Sequence, residues 1–137
     1  MTEQELVEGE GFHYLRLGCS DHSWPEPEAV DTFIAFAQAL DMDNSWLHFH
    51  CHAGKSRAGI FIAIYDMMKN PEVSFEDIVL RQAMTGSSYF PYVDETSDIA
   101  GVYAERAENI RLVYEYITSN RESGYAVPWS EWLAARG

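Results

Sequence analysis

The stretch WLHFHCHAGKSRAGIFIAIYDMMK, residues 46–69, decides the fold that the sequence predicts. Its first residues, among them Trp46, Leu47 and Phe49, favour a short buried β-strand. Apolar residues then recur at helical spacing, which predicts a helix. The loop between them, residues 51–57, therefore joins a strand to a helix N-terminus. Backbone N–H groups converge there and the helix dipole adds roughly half a positive charge, so the loop is a site for an anion.

Two residues at the ends of this loop add chemistry to anion binding. Cys51 opens the loop, and its thiol is expected to face backbone amides, a helix N-terminus and a guanidinium. Its pKa should therefore lie well below the free value of about 8.5. Arg57 closes the loop, and its planar guanidinium can hold two oxygens of a tetrahedral oxyanion at once, which a lysine cannot do. The pair predicts that a cysteine thiolate attacks phosphorus while an arginine holds the phosphoryl oxygens.

Two motifs carry a resemblance to a known family. The segment HCHAGKSR, residues 50–57, resembles the phosphate loop of the cysteine-dependent phosphatases. The segment DHSWP, residues 21–25, resembles the general-acid loop of one group of them, the bacterial tyrosine-phosphatase-like inositol polyphosphatases, which are phytase-like enzymes. The resemblance covers nearly the whole chain. It implies one tyrosine-phosphatase-like catalytic domain, residues 1–137, either minimal or shortened at its N-terminal side.

The resemblance also implies an α/β fold. It is a three-layer cysteine-phosphatase core, with a central, mostly parallel sheet flanked by helices and reduced at the N-terminal side. The alternating pattern of residues 12–17 predicts a second strand, and the loop that contains Asp21 follows it. Sites in open α/β sheets gather at the carboxyl ends of the strands. We therefore expect Asp21 and Cys51 to meet, although 30 residues separate them.

The remaining segments predict helices. A capping box at Thr2 predicts a short helix near the start, and a proline-initiated helix is expected over residues 26–40. Ser74 has the character of an N-cap for a further helix. The apolar pattern of residues 100–120 predicts an amphipathic helix of about five turns. A short packing helix with two tryptophan anchors is expected near residues 128–132.

The resemblance implies a reaction and a set of roles. The chain would dephosphorylate myo-inositol polyphosphates through a cysteinyl-phosphate intermediate, with Cys51 as nucleophile. Arg57 would bind the transferred phosphoryl group, and Asp21 would act first as acid and then as base. His50 is expected to hydrogen-bond within the loop and hold the cysteine in place. The residues expected to bind substrate are His22, His52, Ala53, Gly54, Lys55, Ser56 and Arg106.

Simpler explanations exist for several of these residues. Asp21 precedes a proline-initiated helix and could be only a cap. His22 and Lys55 could be ordinary exposed loop residues. Each of the three therefore keeps a structural alternative beside its proposed role in catalysis or substrate binding.

Histidines and cysteines near the loop allow two further alternatives. His48 and His50 share one face of the predicted strand and could bind a metal. No third ligand lies at a familiar spacing, however, and a thiolate mechanism needs no metal, so we expect neither a metal nor another cofactor. Cys19 could approach Cys51 and form a reversible disulfide, the alternative being a free buried thiol.

Two other functions stay open. One is a phosphotyrosine or dual-specificity protein phosphatase, against which the acidic composition and Lys55 on the pocket rim both weigh. The other is a phosphate-binding module that has lost catalysis. Ala58 is a hint of the latter, because much of the superfamily has Ser or Thr after the arginine, whose hydroxyl helps the thiolate leave. Its absence predicts slower turnover, or a supporting hydroxyl from Ser56.

Composition limits the partners. A net charge of −13 argues against nucleic acid, and it suits a polyphosphate only if positive charge is concentrated locally. No apolar run approaches the roughly 20 residues of a membrane span. No signal peptide is visible, so a cytoplasmic location is favoured without excluding export. We expect a monomer, or a homodimer through an exposed sheet edge. The cations expected in or around the site are Lys55, Arg57, Arg16, Arg81 and Arg106.

Overall fold

All regular secondary structure in the computed structural model, which describes residues 1–137, is helical. The helices in chain order are α1 (Glu3–Gly9), α2 (Pro27–Ala39), α3 (Arg57–Lys69), α4 (Phe75–Met84), α5 (Ala100–Asn120) and α6 (Trp129–Ala134). The helix predictions are confirmed, with bounds that shift by only one or two residues. The capping box at Thr2 precedes α1, and the Ser74 hydroxyl accepts the N–H of Asp77 at the start of α4.

Helix α3 lies at the centre of the molecule. It packs against α2, α4 and α5, and residues around most of its circumference are buried, including Ile60, Ile64 and Met67. A helix that is apolar on nearly every side must be covered by neighbours on nearly every side. One narrow side of the helix remains partly open, because Arg57, Ile62 and Tyr65 are partly exposed and Lys69 at its end is exposed.

The C-terminal helix closes the core through aromatic packing. Trp129 is fully buried and stacks on Trp132 with ring centroids 5.7 Å apart. Tyr116 of α5 meets both tryptophans edge-on, and its hydroxyl donates to the carbonyl of Val127 at 2.8 Å. The expectation that these tryptophans anchor the core is confirmed. No helix of the protein is both long enough and apolar enough to cross a membrane.

The predicted α/β fold with a central, mostly parallel sheet is wrong, because the structure contains no β-strand. The two segments that were expected to be strands lie without main-chain partners. No backbone hydrogen bond joins residues 13–19 or residues 45–54 to another backbone group. The three-layer core is therefore replaced by helices packed around α3, and the sheet edge that was expected to allow a homodimer is not present.

The side-chain alternation behind the strand prediction is nevertheless real. The rings of Trp46, His48 and His50 follow one another with centroids 6.0 and 5.6 Å apart. Phe49 packs instead against Phe33 of α2, with ring centroids at 5.9 Å. Alternation predicts chain whose neighbouring side chains point to opposite sides, but a sheet also requires neighbouring strands. With only two such segments in the chain, which do not pair with each other, the pattern does not produce a sheet.

Candidate active site

The candidate phosphate loop, residues 51–56, leads directly into α3, whose first residue is Arg57. Gly54 has a φ of +70°, in the left-handed region that glycine adopts without steric cost. The loop directs the backbone N–H groups of Ala53, Gly54 and Ala58 toward the Cys51 thiol. Residues in the middle of the loop are exposed, whereas Ser56 at its end is buried. The loop is therefore open to solvent on one side and anchored on the other.

The anchored side rests on the segment that follows α4. A Cβ atom at Gly59 would lie only 2.8 Å from the Ser87 hydroxyl oxygen and 3.1 Å from the ring of Phe90. Only glycine therefore permits this approach without a shift of its neighbours. The Ser88 N–H donates to the carbonyl of Lys55 at 3.2 Å. These contacts hold the loop and the first turn of α3 in one arrangement.

The thiol of Cys51 has a pKa below its ordinary value. Partial burial by itself raises the pKa, but hydrogen bonds from the backbone N–H groups of Ala58, Gly54 and Ala53 act in the opposite direction. The nearby charge of Arg57 adds to them, and the net shift is downward. The loop thus stabilises the thiolate, which is the nucleophilic form of cysteine.

The second cysteine behaves differently. Both cysteines are free thiols in the structure, so the disulfide alternative is not observed. Burial raises the pKa of Cys19, although the charge of Arg57 partly offsets this effect. A thiol with a raised pKa is a weak nucleophile near neutral pH. Cys19 therefore serves as an internal reference for Cys51.

The structure brings Asp21 to the phosphate loop. Its Oδ1 atom lies 3.3 Å from Nε of Arg57, and it also accepts the backbone N–H of His22 at 3.0 Å. The Asp21 side chain is 57% exposed, whereas that of Arg57 is 27% exposed. The Nε–H of Arg57 has no aligned hydrogen-bond acceptor, so the contact is a loose ion pair. An arriving anion can therefore compete for Arg57 without breaking a strong bond.

The rim of the loop carries positively charged or titratable groups. His52 and Lys55 are exposed, and Lys55 makes no ion pair with any carboxylate. His22 is half-exposed, with its Nε2 atom 3.7 Å from the Asp21 carboxylate. Ala53 and Gly54 are exposed as well, so the main chain there is open to a ligand. Substrate binding by these residues remains a prediction.

Arg106 lies beneath the site rather than on its rim. Its side chain is on α5, only 5% of the residue is exposed, and it makes no ion pair. Its Nη1 atom donates to the hydroxyl oxygen of Ser56 at 2.9 Å and to the carbonyl of His22 at 3.3 Å. The guanidinium lies over the rings of Phe90 and Tyr103, at 5.2 and 4.9 Å from their centroids. Burial lowers the pKa of Arg106. A direct contact of Arg106 with substrate therefore remains only a prediction.

His50 points away from the loop toward the N-terminal helix. Its Nε2 atom lies 2.7 Å from one carboxylate oxygen of Glu3, and the Tyr14 hydroxyl donates to the other oxygen at 2.8 Å. From the sequence, Glu3 is recognisable only as an acidic residue in the first turn of α1. Its contact with the residue before Cys51 could not be found from spacing. The expected role of His50 in holding the cysteine stays a prediction.

One of the expected surrounding cations, Arg81, lies elsewhere. Arg81 binds the carboxylate of Asp66 near the far end of α3, where Asn70 and Gln82 also donate to the same carboxylate. This cluster has no contact with the phosphate loop and was not predicted from sequence. Arg16 is exposed and makes no ion pair with any carboxylate. Positive charge at the site comes from Arg57, with Arg106 beneath the loop and Lys55 on its rim, and a contribution from Arg16 remains a prediction.

Known proteins are similar to this chain both in sequence and in backbone structure. The family model named PTP-like phytase, described by the words inositol hexakisphosphate, matches residues 1–69. The structure is similar to that of a PTP-like myo-inositol phosphatase from Mitsuokella multacida, solved in complex with myo-inositol-(1,3,4,5)-tetrakisphosphate. The TM-score is 0.91 and the identity 42%, over 98% of this chain and 23% of that chain. A PTP-like phytase from Bdellovibrio bacteriovorus gives a TM-score of 0.87 at 35% identity, over 97% of this chain and 52% of that chain.

A curated relative is the effector protein HopD2 from Pseudomonas syringae pv. tomato. It is 27% identical over an alignment of 141 positions, which covers 97% of this chain and 29% of that protein. The chain thus spans about a quarter of the Mitsuokella protein and less than a third of HopD2. The similarity nevertheless includes both the phosphate loop and the loop that carries Asp21, because it extends over nearly all of this chain.

Proposed function

The chain belongs to the PTP-like phytase family, and on that premise we propose that it hydrolyses phosphate esters of myo-inositol through a cysteinyl-phosphate intermediate. The observation that carries the proposal is the approach of Asp21 to Arg57, 3.3 Å apart. Arg57 belongs to the same loop as Cys51, whose thiol pKa is lowered. The proposed nucleophile and anion-binding group thus belong to one loop, and the proposed proton donor lies against it, which supports this assignment of roles.

In the first step, the thiolate of Cys51 attacks the phosphorus atom and forms the S–P bond. The bond between phosphorus and the inositol oxygen breaks, and Asp21 in its protonated form gives its proton to that oxygen. The loop amides and Arg57 hold the other phosphoryl oxygens, where negative charge is concentrated in the transition state. The products of this step are an inositol with one phosphate fewer and a cysteinyl-phosphate.

In the second step, water hydrolyses the cysteinyl-phosphate. Asp21, now a carboxylate, accepts a proton from the water as its oxygen attacks phosphorus. The S–P bond breaks, inorganic phosphate forms, and the thiolate of Cys51 is restored. The backbone N–H of Ala58 is among the groups that stabilise this thiolate. A side-chain hydroxyl at position 58, which would assist it further, is absent from this chain.

The rim supports a substrate with more than one phosphate. Exposed Lys55 and His52 lie in the phosphate loop, and half-exposed His22 lies beside the acid. A single phosphate bound to the loop amides and Arg57 would leave these three groups free for neighbouring phosphates. The net charge of −13 would slow the encounter with such a substrate, but local cations would still favour its binding.

The proposal is tested by measuring phosphate release from myo-inositol hexakisphosphate with three proteins: the wild-type chain, Cys51→Ser and Cys19→Ser. We expect Cys51→Ser to lose about 10⁴-fold or more, because the nucleophile acts as a unit with the other site groups. Cys19→Ser is the matched control and should retain its activity. A phosphotyrosine peptide serves as the competing substrate.

Three results would contradict the proposal. Release that is equally fast in Cys51→Ser would exclude the cysteinyl-phosphate, because serine is a far weaker nucleophile at neutral pH. Faster release from the phosphotyrosine peptide than from the inositol substrate would favour a protein phosphatase instead. A folded wild-type chain that releases phosphate from neither substrate would favour a phosphate-binding module.

A further inference from the structure

We propose that Arg106 is a positioning residue that ties the loop carrying the general acid Asp21 to the phosphate loop. This role rests on the function proposed above and assigns Arg106 a place in it that differs from direct substrate binding. Arg106 would act through Asp21, by fixing where the carboxylate stands relative to the phosphoryl group. Three features of the structure support this role.

The first feature is the pair of hydrogen bonds that one nitrogen makes. Nη1 of Arg106 donates both to the hydroxyl oxygen of Ser56 and to the carbonyl of His22, at 2.9 and 3.3 Å. Ser56 is the last residue before α3 in the phosphate loop, and His22 directly follows Asp21. One side chain thus contacts two residues that lie 50 and 84 positions before it in the sequence. Both loops are fixed to the same point on α5.

The second feature is the backbone at His22. Its φ is 63°, a left-handed conformation that residues other than glycine rarely adopt. Such strain persists only where surrounding contacts hold it, and it is common at functional sites. Here Arg106 binds the carbonyl of His22, and the ring of Tyr103 meets the imidazole edge-on at 6.0 Å. Because the His22 N–H donates to Asp21, the same turn orients the acid.

The third feature is that Arg106 is buried without a carboxylate partner. Side chains of arginine are rarely so deeply buried unless an anion pairs with them. Here the guanidinium has two neutral oxygen acceptors and two aromatic rings, and its Nε–H has no acceptor. If this position served only stability, a well-packed apolar side chain would avoid the desolvation penalty of a buried charge. Its acceptors lie in the two loops that must come together for catalysis.

The test compares two substrates that differ in their need for an acid. The inositol oxygen must be protonated as it leaves, whereas p-nitrophenolate leaves readily without a proton. Arg106→Met removes the charge and the hydrogen bonds but keeps an unbranched apolar side chain. We expect its rate of phosphate release to fall about 30-fold with myo-inositol hexakisphosphate and less than about 3-fold with p-nitrophenyl phosphate, since general-acid catalysis contributes about 10²–10⁴-fold.

Arg111→Met is the matched control. Arg111 is also on α5 and lies over an aromatic ring, that of Phe75, at 4.6 Å, but it is exposed and touches neither loop. Its substitution removes the same charge and the same kind of ring contact. Both rates should remain within about 2-fold of the wild type, as expected for an exposed residue away from the site.

A double variant separates positioning from a general effect on the loop. If Arg106 acts through Asp21, then adding Arg106→Met to a chain that already carries Asp21→Asn should lower the rate of phosphate release little further. Equal losses on the two substrates would contradict the proposal. So would losses that simply multiply in the double variant.

A measurement without catalysis separates this proposal from the proposed function. Backbone hydrogen exchange of residues 20–24 should accelerate in Arg106→Met and stay unchanged in Arg111→Met, with exchange in the rest of the chain the same as in the wild type for both. Unchanged exchange in that segment would overturn the tie between the loops, whether or not the wild type is active. If Arg106→Met fails to fold, Arg106→Lys keeps the charge with fewer donors, and the same exchange and substrate comparisons apply to it.

Discussion

The two ends of α3 differ in how completely their charged side chains are paired. Near its C-terminal end, the Asp66 side chain is only 9% exposed and accepts hydrogen bonds from Arg81, Asn70 and Gln82. Burial raises the pKa of Asp66, but these donors outweigh burial and lower it overall. Every oxygen of this carboxylate is occupied by the protein itself. The cluster joins α3 to α4 and has no free position for a ligand.

At the N-terminal end, the charges are left incompletely paired. Arg57 has only a loose contact with the exposed carboxylate of Asp21, and Arg106 has no carboxylate at all. The thiol of Cys51 faces three backbone amides. Charges that are fully paired within the protein stabilise the fold, whereas incompletely paired charges can bind an anion from solution. Substitutions at the N-terminal end should therefore change rates, and substitutions at the C-terminal end should change stability.

Apart from loss of the nucleophile, the largest effect should follow from Arg57→Lys, which keeps the charge but removes the planar fork. We expect the rate of phosphate release to fall about 10²–10³-fold, as when a preorganised transition-state donor is lost. The free energy of unfolding should change little, because Arg57 makes only a loose ion pair. Steady-state kinetics and urea denaturation together check both parts. A large loss of stability with an unchanged rate would reverse the roles of the two ends.

The next effect concerns the other end of the helix. Arg81→Met leaves the buried carboxylate of Asp66 without its cation and should lower the free energy of unfolding by about 2–3 kcal/mol. This is less than for a fully buried pair, because the Arg81 side chain is 42% exposed. Phosphate release by the molecules that remain folded should be unchanged. If activity falls while the urea midpoint stays constant, the closed cluster is part of the site and the comparison fails.

A smaller effect should appear in the pH dependence of stability. The lowered pKa of Asp66 means that its stabilisation is present above the unfolded value of about 3.9 and is lost as the pH falls through the lower folded value. The destabilisation caused by Asp66→Asn should accordingly be clear at pH 6 and shrink toward pH 3. Denaturation curves at several pH values measure it. A difference that is constant with pH would contradict the assignment.

Alkaline conditions supply the opposite sign at Tyr116, which packs among the aromatic rings of the core. Burial raises the pKa of Tyr116 to about 12, so its contribution to stability is present below the unfolded value of about 10. It is lost as the pH rises from about 10 toward 12. Tyr116→Phe should remove this alkaline dependence and leave the acid dependence due to Asp66 intact, as measured by the same denaturation curves.

The smallest effect should come from Ala58→Ser, which restores a hydroxyl beside the thiol. We expect turnover to rise about 3-fold if breakdown of the cysteinyl-phosphate limits the rate, because one neutral hydrogen bond contributes about 1 kcal/mol or less. Rapid-mixing kinetics should show a burst of the first product in the wild type and a smaller burst in the variant. A slower variant with an unchanged burst would show that the backbone N–H of Ala58 already suffices.

Local patterns in the sequence predicted the helices and part of the site. Capping residues such as Thr2 and Ser74 act on the next turn of the same helix, so their effect is visible without tertiary structure. The loop that joins Cys51 to Arg57 is equally local. Asp21 was expected to meet Cys51 at the end of a sheet; the sheet is absent, and the structure places Asp21 against Arg57 of the same loop.

The remaining features depend on contacts that local patterns do not encode. Alternation at Trp46 suggested a strand, but the existence of a partner strand is a property of the whole fold. The burial of Arg106 arises because α5 passes beneath two loops from distant parts of the chain. The contact between His50 and Glu3 likewise joins a loop to a helix 47 residues earlier in the chain.

The central claim is that the N-terminal end of α3 is an open anion site around a thiolate. It is tested most directly by the pH dependence of alkylation of the two cysteines with iodoacetamide, followed by mass spectrometry. Cys51 should react with an apparent pKa below that of an ordinary thiol, and Cys19 with one above it. Inorganic phosphate should protect Cys51 and leave Cys19 unaffected. An ordinary or raised pKa at Cys51, with no protection by phosphate, would contradict the account.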